Sequence, residues 1–163
     1  MEVIDNFLSE EDFNALSEIV MGVENFSWFC SPDIAYEADY SQCFFYHTFF
    51  ADMLPRSDYY VAVRSLFLDK IPNVRALLRL RACCYVATEN VIEHGSHRDY
   101  DEGSEIKGAI LYMNDCNGFT RLSDNEVVES KQNRLLLHDS TKIHNSTNCT
   151  DAPRRVVLVA NYL

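Results

Sequence analysis

Basic residues are scarce. The chain has 14 Lys and Arg against 25 Asp and Glu, a net charge of −11 and a pI near 4.7. Nucleic-acid binders carry a basic groove that neutralises phosphates, so this balance argues against such a partner. No apolar run reaches the 18 residues of a membrane-spanning helix, and no membrane segment is expected. The opening stretch MEVIDNFLSEEDF is acidic and lacks an apolar h-region, so it is not read as a signal peptide. The six cysteines form no CxxC. Reduced thiols in a cytoplasm follow, with buried cysteines acting as small hydrophobes, and the sequons at Asn145 and Asn148 then carry little weight. No internal repeat or low-complexity segment occurs. What is present is 163 residues, 47% hydrophobic and 24% charged, which suits one soluble domain around one core.

The chain changes character part-way along. "SEEDFNALSEIVMGV" predicts an amphipathic helix with Ser9 as N-cap, acids in its first turn, and a stripe of Phe13, Leu16, Ile19, Val20 and Val23. Leu8 is placed to staple its entry. "IDNFL" has strand character and "QCFFYHTFF" reads as a strand. "DYYVAVRSLFLDKIP" and "NVRALLRL" read as helices punctuated by Pro72. After about residue 80 come short aliphatic or β-branched runs, "RACCYVAT", "IKGAILYMN", "FTRL", "NEVVES", "NRLLLHD" and "RRVVLVANYL", parted by Gly, Asn, Asp and Ser. Such strands suggest a barrel, sandwich or jelly roll. The expectation is a single mainly-β domain, 1–163, with a helical half over about 1–80 and a β core over about 81–163.

"IEHGSHRDY" carries the chemistry. In a strand, residues i and i+2 share a face, so His97 and Asp99 point together. His144, in "TKIHNST", supplies a third ligand from a distant segment. Two imidazoles and one carboxylate cover one face of an octahedral ion and leave positions open, whereas a closed zinc site takes four protein ligands, usually with Cys. The alternative is a polar turn with a surface histidine. "PRRVVLVANY", some ten residues past His144, opens a strand with two arginines. Guanidinium pairs bidentately with carboxylate, which suits a dicarboxylate beside an open metal.

In the order and spacing of these segments the chain resembles the Fe(II)- and 2-oxoglutarate-dependent dioxygenases, notably their small phage and bacterial members and, more distantly, the prolyl 4-hydroxylases. "VIDNFLSEEDFNAL" is similar to the family's opening strand and helix, and "HRDY" to its HxD strand. "AILYMNDCNGFTRL" is similar to the segment that follows, with only Gly118 of the usual glycine pair. "NRLLLHDSTKIHNST" is similar to the segment bearing the distal histidine, and "CTDAPRRVVLVANY" to the closing strand. The resemblance implies a double-stranded β-helix, or jelly roll, with N-terminal helices packed on one sheet. It implies Fe(II) held by His97, Asp99 and His144, with 2-oxoglutarate and dioxygen as cosubstrates. The distal carboxylate of 2-oxoglutarate would meet an arginine. Neighbours on a strand face opposite ways, so only one of Arg154 and Arg155 can enter; the likeness favours Arg155. Val157 stands where the family often has Ser or Thr, so Tyr85 or Ser146 is the candidate hydroxyl donor. A phage origin would place the protein in a host cytoplasm.

Among the remaining residues, His94 is expected to face solvent, because three positions separate it from His97. His138 is open between pocket and core, and His47 is read as a core histidine. Asn133 reads as a turn residue, Tyr112 as core, Cys83 and Cys84 as packing, and Arg98 as an outward partner of Asp101 or Glu102. The leading function is a hydroxylase of an unactivated C–H bond in an amino acid, peptidyl side chain or small metabolite. A catalytically silent jelly-roll binding module and a cupin-like metalloenzyme without 2-oxoglutarate are the alternatives. The acidic stretches "SPDIAYEADYSQ" and "DYDEGSE" suggest lids favouring a cationic substrate. The sequence assigns no oligomeric state.

Overall fold

A computed structural model describes residues 1–22, 24, 26–35 and 42–163. The chain runs β1 (Glu2–Ile4), α1 (Glu10–Ser17), β2 (Phe29–Ser31), β3 (Phe44–Ala51), β4 (Leu54–Pro55), α2 (Tyr60–Leu66), β5 (Leu77–Val86), β6 (Lys107–Tyr112), β7 (Phe119–Leu122), β8 (Val127–Glu129), β9 (Arg134–Asp139), β10 (His144–Ser146) and β11 (Arg154–Tyr162). The large sheet has the order β1-β9-β6-β11-β5-β3-β2, with β4 beside β3. A small sheet has the order β10-β7-β8. Every pairing is antiparallel. The two sheets form a jelly roll, and the helices cover the outer face of the large one.

Strand alternation divides the core in two. Leu80, Ala82 and Cys84 of β5 and Val156, Leu158 and Ala160 of β11 face the helices, where they meet Phe13, Leu16, Val63 and Phe67. Cys83, Tyr85, Val157 and Val159 face the small sheet, where Val128 meets them. The vicinal cysteines thus point to opposite layers as packing residues. α1 begins at Ser9, whose hydroxyl accepts from Asp12 N–H at 3.1 Å, and continues as a π-turn over Glu18–Gly22. Val23 of the expected stripe lies outside the described residues. Leu8 is buried, and Asn133 clamps it: Asn133 Oδ1 accepts from Leu8 N–H at 3.0 Å and Nδ2 donates to Leu8 carbonyl at 2.9 Å. Asn133 has φ 58°, so the expected turn residue also ties the N-terminal segment to β9.

"NVRALLRL" is a correction. Its second half opens β5 instead of forming a helix. The run alternates Leu78, Leu80 and Ala82 with Arg79, Arg81 and Cys83, a period of two, and the arginine face turns inward to the space between the sheets. The first eighty residues therefore supply both helices but also β1 to β4 and the start of β5, so the line near residue 80 does not part helices from sheet. No helix among the described residues is long and apolar enough to cross a membrane.

Candidate metal centre and its cavity

The HxD segment is not a regular strand. One bridge holds it to the edge of β10: His97 N–H donates to His144 carbonyl at 2.9 Å, and His144 N–H to His97 carbonyl at 2.8 Å. This reciprocal pair sets the two imidazoles side by side, with ring centroids 4.6 Å apart. Asp99 is fixed by its N–H to Ser140 carbonyl at 3.0 Å. One ligand atom from each of His97, Asp99 and His144 falls within 4.8 Å of the others.

The parity expected for His94 fails. Glu93 bridges Thr147 while His97 bridges His144, so four steps on one side oppose three on the other. The extra residue is a bulge that reverses the facing. His94 is buried, stacks on Tyr85 at 5.1 Å, and lies with Nδ1 3.0 Å from Ser146 Oγ and Nε2 3.3 Å from Gln42 Oε1. Arg98 between the ligands does point outward, 2.8 Å from Glu102.

The donor set fits a divalent transition ion. His97 Nδ1 lies 3.2 Å from Gly95 carbonyl and His144 Nδ1 lies 3.0 Å from Lys142 carbonyl. Each carbonyl fixes a tautomer with the proton on Nδ1 and a lone pair on Nε2. Burial lowers the His97 pKa, and the neighbouring His144 lowers it further, which favours the neutral ligand form. Burial alone would raise the Asp99 carboxyl, but Arg79, His144 and an Asn161 hydrogen bond hold it well below the usual range. Arg79 Nη2 donates to Asp99 Oδ1 at 3.0 Å and Asn161 Nδ2 to Oδ2 at 2.9 Å. Two imidazoles and one carboxylate suit iron, and three protein ligands leave coordination positions open.

The triad lines a cavity between the sheets together with Arg81, Tyr85, Ser146, Arg155, Thr120 and the apolar Ile110, Val157 and Val159. Arg155 is 1% exposed. Its guanidinium donates to Ser130 Oγ at 2.6 Å, Thr147 carbonyl at 3.0 Å and Thr120 Oγ1 at 3.0 Å. It lies 5.6 and 5.4 Å from the rings of Tyr85 and Tyr112. All these partners are neutral, and among the described residues no acid pairs with it. Arg154 is exposed and outside the cavity, so the strand register turns Arg155 inward and Arg154 out. Tyr85 sits beside Ser146, its hydroxyl pushed up to about 12 by burial.

Other histidines and tyrosines divide between core and site. His138 is buried with Nε2 unpartnered, its ring 5.0 Å from that of His144. His47 is a core histidine, with Nδ1 2.6 Å from Ser27 carbonyl and Nε2 2.8 Å from Ser57 Oγ. Tyr112 is core, donating to Thr120 Oγ1 at 2.9 Å. Arg79, Arg81, Asn161 and Thr120 were missed in the sequence. The signal for the arginines was the Leu-Arg alternation; Asn161 and Thr120 carry no motif.

No protein-family model matches the chain, and no curated protein matches it in sequence. Solved structures do match. A Pseudomonas putida prolyl-4-hydroxylase superposes with a TM-score of 0.66 at 13% identity, over 99% of this chain and 91% of that one. A Trichoplax adhaerens prolyl hydroxylase, solved with a hypoxia inducible factor peptide fragment, gives 0.67 at 17%, over 99% and 82%. The non-haem α-ketoglutarate-dependent epimerase SnoN gives 0.62 at 12%, over 99% and 76%. The chain has the fold of these oxygenases.

Proposed function

We propose that the protein is an Fe(II)- and 2-oxoglutarate-dependent oxygenase that hydroxylates an unactivated C–H bond of a small-molecule or peptidyl substrate. One observation carries the reading: an open three-ligand set and a buried guanidinium without a carboxylate partner among the described residues share a single cavity. A desolvated charge is costly unless paired, and a carboxylate seated against Arg155 would supply the missing charge. A metalloenzyme of cupin type that does not use 2-oxoglutarate needs no such group, and a silent binding module needs neither feature.

His97 and His144 would bind iron through Nε2, and Asp99 through its carboxylate. With iron bound there, 2-oxoglutarate and dioxygen supply the oxidising power: the oxo acid loses CO2 to become succinate, and one oxygen atom goes to the substrate. Arg79 and Asn161 keep Asp99 ionised and oriented. Arg155 would pair with the distal carboxylate of 2-oxoglutarate, with Thr120 and Tyr85 beside it. Val157, on the same face of β11 as Arg155 and two residues on, would keep water from that end of the cavity and so strengthen the ion pair.

Anaerobic titration of the metal-free protein with Fe(II), with and without 2-oxoglutarate, tests the reading. A weak visible charge-transfer band should need both and should disappear in Asp99→Ala. Iron binding that ignores 2-oxoglutarate would favour the cupin-like alternative, and no iron binding the silent module.

A further inference from the structure

Arg81 is a second cation in the cavity of the triad, and among the described residues it too lacks an ion-pair partner. It lies on the inward face of β5, directly opposite Val159 of β11, and both line the cavity. Its Nε is buried with no hydrogen-bond partner. Its guanidinium carbon stands 5.8 Å from the Phe44 ring. Asp99, the one acid among the described residues that line the cavity, is close enough for its charge to be felt, but its ion pair is with Arg79. The Arg81 charge is one of several that hold Asp99 ionised, but Arg79 and Asn161 do so through direct hydrogen bonds to that carboxylate.

The two cations hold separate places. Arg155 opposes Tyr85, and Arg81 opposes Val159, so their backbones stand four residues apart along paired strands, about 13 Å at the usual strand rise. Arg155 flanks Tyr85 from the β11 side. Arg81 lies against Phe44 on the β3 side, and the Phe44 and Tyr85 rings stack at 5.6 Å between them. The distal carboxylate of a 2-oxoglutarate anchored at Arg155 would lie four residues away from Arg81 along the paired strands. Its other carboxylate, at the metal, is the competing anion for Arg81, and the 2-oxoglutarate affinity of Arg81→Gln separates the two.

We propose that Arg81 binds a carboxylate of the primary substrate, which makes that substrate a carboxylic acid such as a free amino acid. This rests on the oxygenase reading of the site. It reverses the preference for a cationic substrate suggested by "SPDIAYEADYSQ", of which residues 36–41 lie outside the described residues, and by "DYDEGSE". In that segment Asp99 pairs with Arg79, Glu102 with Arg98 and Glu105 with Arg75, so most of its acids are neutralised within the chain. A peptidyl substrate would have to present an acidic side chain or its C-terminus.

The test is a binding comparison on protein held anaerobically with Fe(II) and saturating 2-oxoglutarate. The probes are the twenty amino acids, propionate and benzoate, each beside its primary amide, followed by thermal shift and by perturbation of the charge-transfer band. At least one acid should bind, with its amide at least tenfold weaker. Arg81→Gln should weaken that acid at least tenfold while the Kd of 2-oxoglutarate stays within twofold. Arg81→Lys, which keeps the charge and loses the planar fork, should fall between. Ligand-free Arg81→Gln should melt no lower than wild type, since no ion pair among the described residues is lost. Acids and amides binding alike, no acid binding, or R81Q weakening 2-oxoglutarate instead would each overturn the proposal. The band in wild-type protein before any acid is added reports on the oxygenase reading alone. The thermal-shift comparison of acid with amide needs neither band nor turnover, so the two ideas fail separately.

Discussion

The side-chain amide of Asn161 donates to Asp99 Oδ2 at 2.9 Å, and its carbonyl accepts from Arg79 Nε at 2.9 Å. A second donation from Asn161 reaches Ser140 Oγ at 2.9 Å. One residue of the closing strand thus orients both the carboxylate proposed to bind metal and the arginine that keeps it ionised. Residues that orient a metal ligand typically control 10- to 100-fold of metal affinity. Asn161→Ala should weaken Fe(II) binding by about that factor, with far-ultraviolet circular dichroism unchanged. Unaltered affinity would show that Arg79 alone suffices.

Arg155 depends on a glycine across the cavity. A Cβ at Gly118 would stand 2.6 Å from Arg155 Cδ and 2.3 Å from the Asn148 carbonyl. Arg155→Ala should raise the KM for 2-oxoglutarate at least tenfold, through loss of a charge-assisted pair of roughly 1.5–3 kcal/mol. Gly118→Ala should shift KM in the same direction by displacing the guanidinium. Arg154→Ala, at an exposed position, should leave it within about twofold. Steady-state succinate release checks all three, and a large effect at Arg154 would mean the strand register is off by one.

These residues show how far the sequence could be read. Alternation in "RRVVLVANY" limited the inward arginine to one of two neighbours, and the likeness to known oxygenases pointed to Arg155. The HxD spacing nominated His97 and Asp99 although the segment is held by a single bridge. Parity failed at His94, because a bulge depends on which residues pair across the sheet, and one strand's sequence does not contain its partner. "NVRALLRL" misled because leucine and arginine are good helix formers. Its period of two was visible, but an arginine face normally means solvent, and here it means a charged cavity. Asn161 was invisible for a related reason: a lone amide in an apolar strand gains meaning only when Asp99 is folded against it.

The N-terminal segment should prove dependent on one side chain. Asn133 makes two hydrogen bonds to the backbone of buried Leu8 while holding φ 58°. Asn tolerates the left-handed region better than other non-glycine residues. Asn133→Ala removes both bonds and keeps the strained backbone, so about 2–3 kcal/mol of stability should be lost. Urea unfolding would read this as a lower midpoint with unchanged slope. A loss below about 0.5 kcal/mol would mean that solvent replaces the clamp.

His138 should make the metal-free protein sensitive to mild acid. Burial, then the charge of nearby His144, pushes its pKa down to about 4. Above pH 6.5 the ring is neutral in both states and contributes no pH dependence. Between 6.5 and 4 the unfolded chain takes up a proton that the folded chain refuses, so stability falls as pH falls. The slope is about 1.4 kcal/mol per pH unit and the limit roughly 3 kcal/mol, reached below pH 4. His97 is lowered as well and acts in the same direction, so the His138 share is a difference between proteins. His138→Leu removes the titrating ring and keeps similar volume. Between pH 7 and 5 it should lose less stability than wild type by roughly 2 kcal/mol in urea. Gly108 gives the ring its space, since a Cβ there would stand 2.3 Å from His138 Nε2; Gly108→Ala should therefore destabilise the fold at neutral pH as well. Parallel pH profiles for wild type and His138→Leu would show that the imidazole finds a proton acceptor in the folded state.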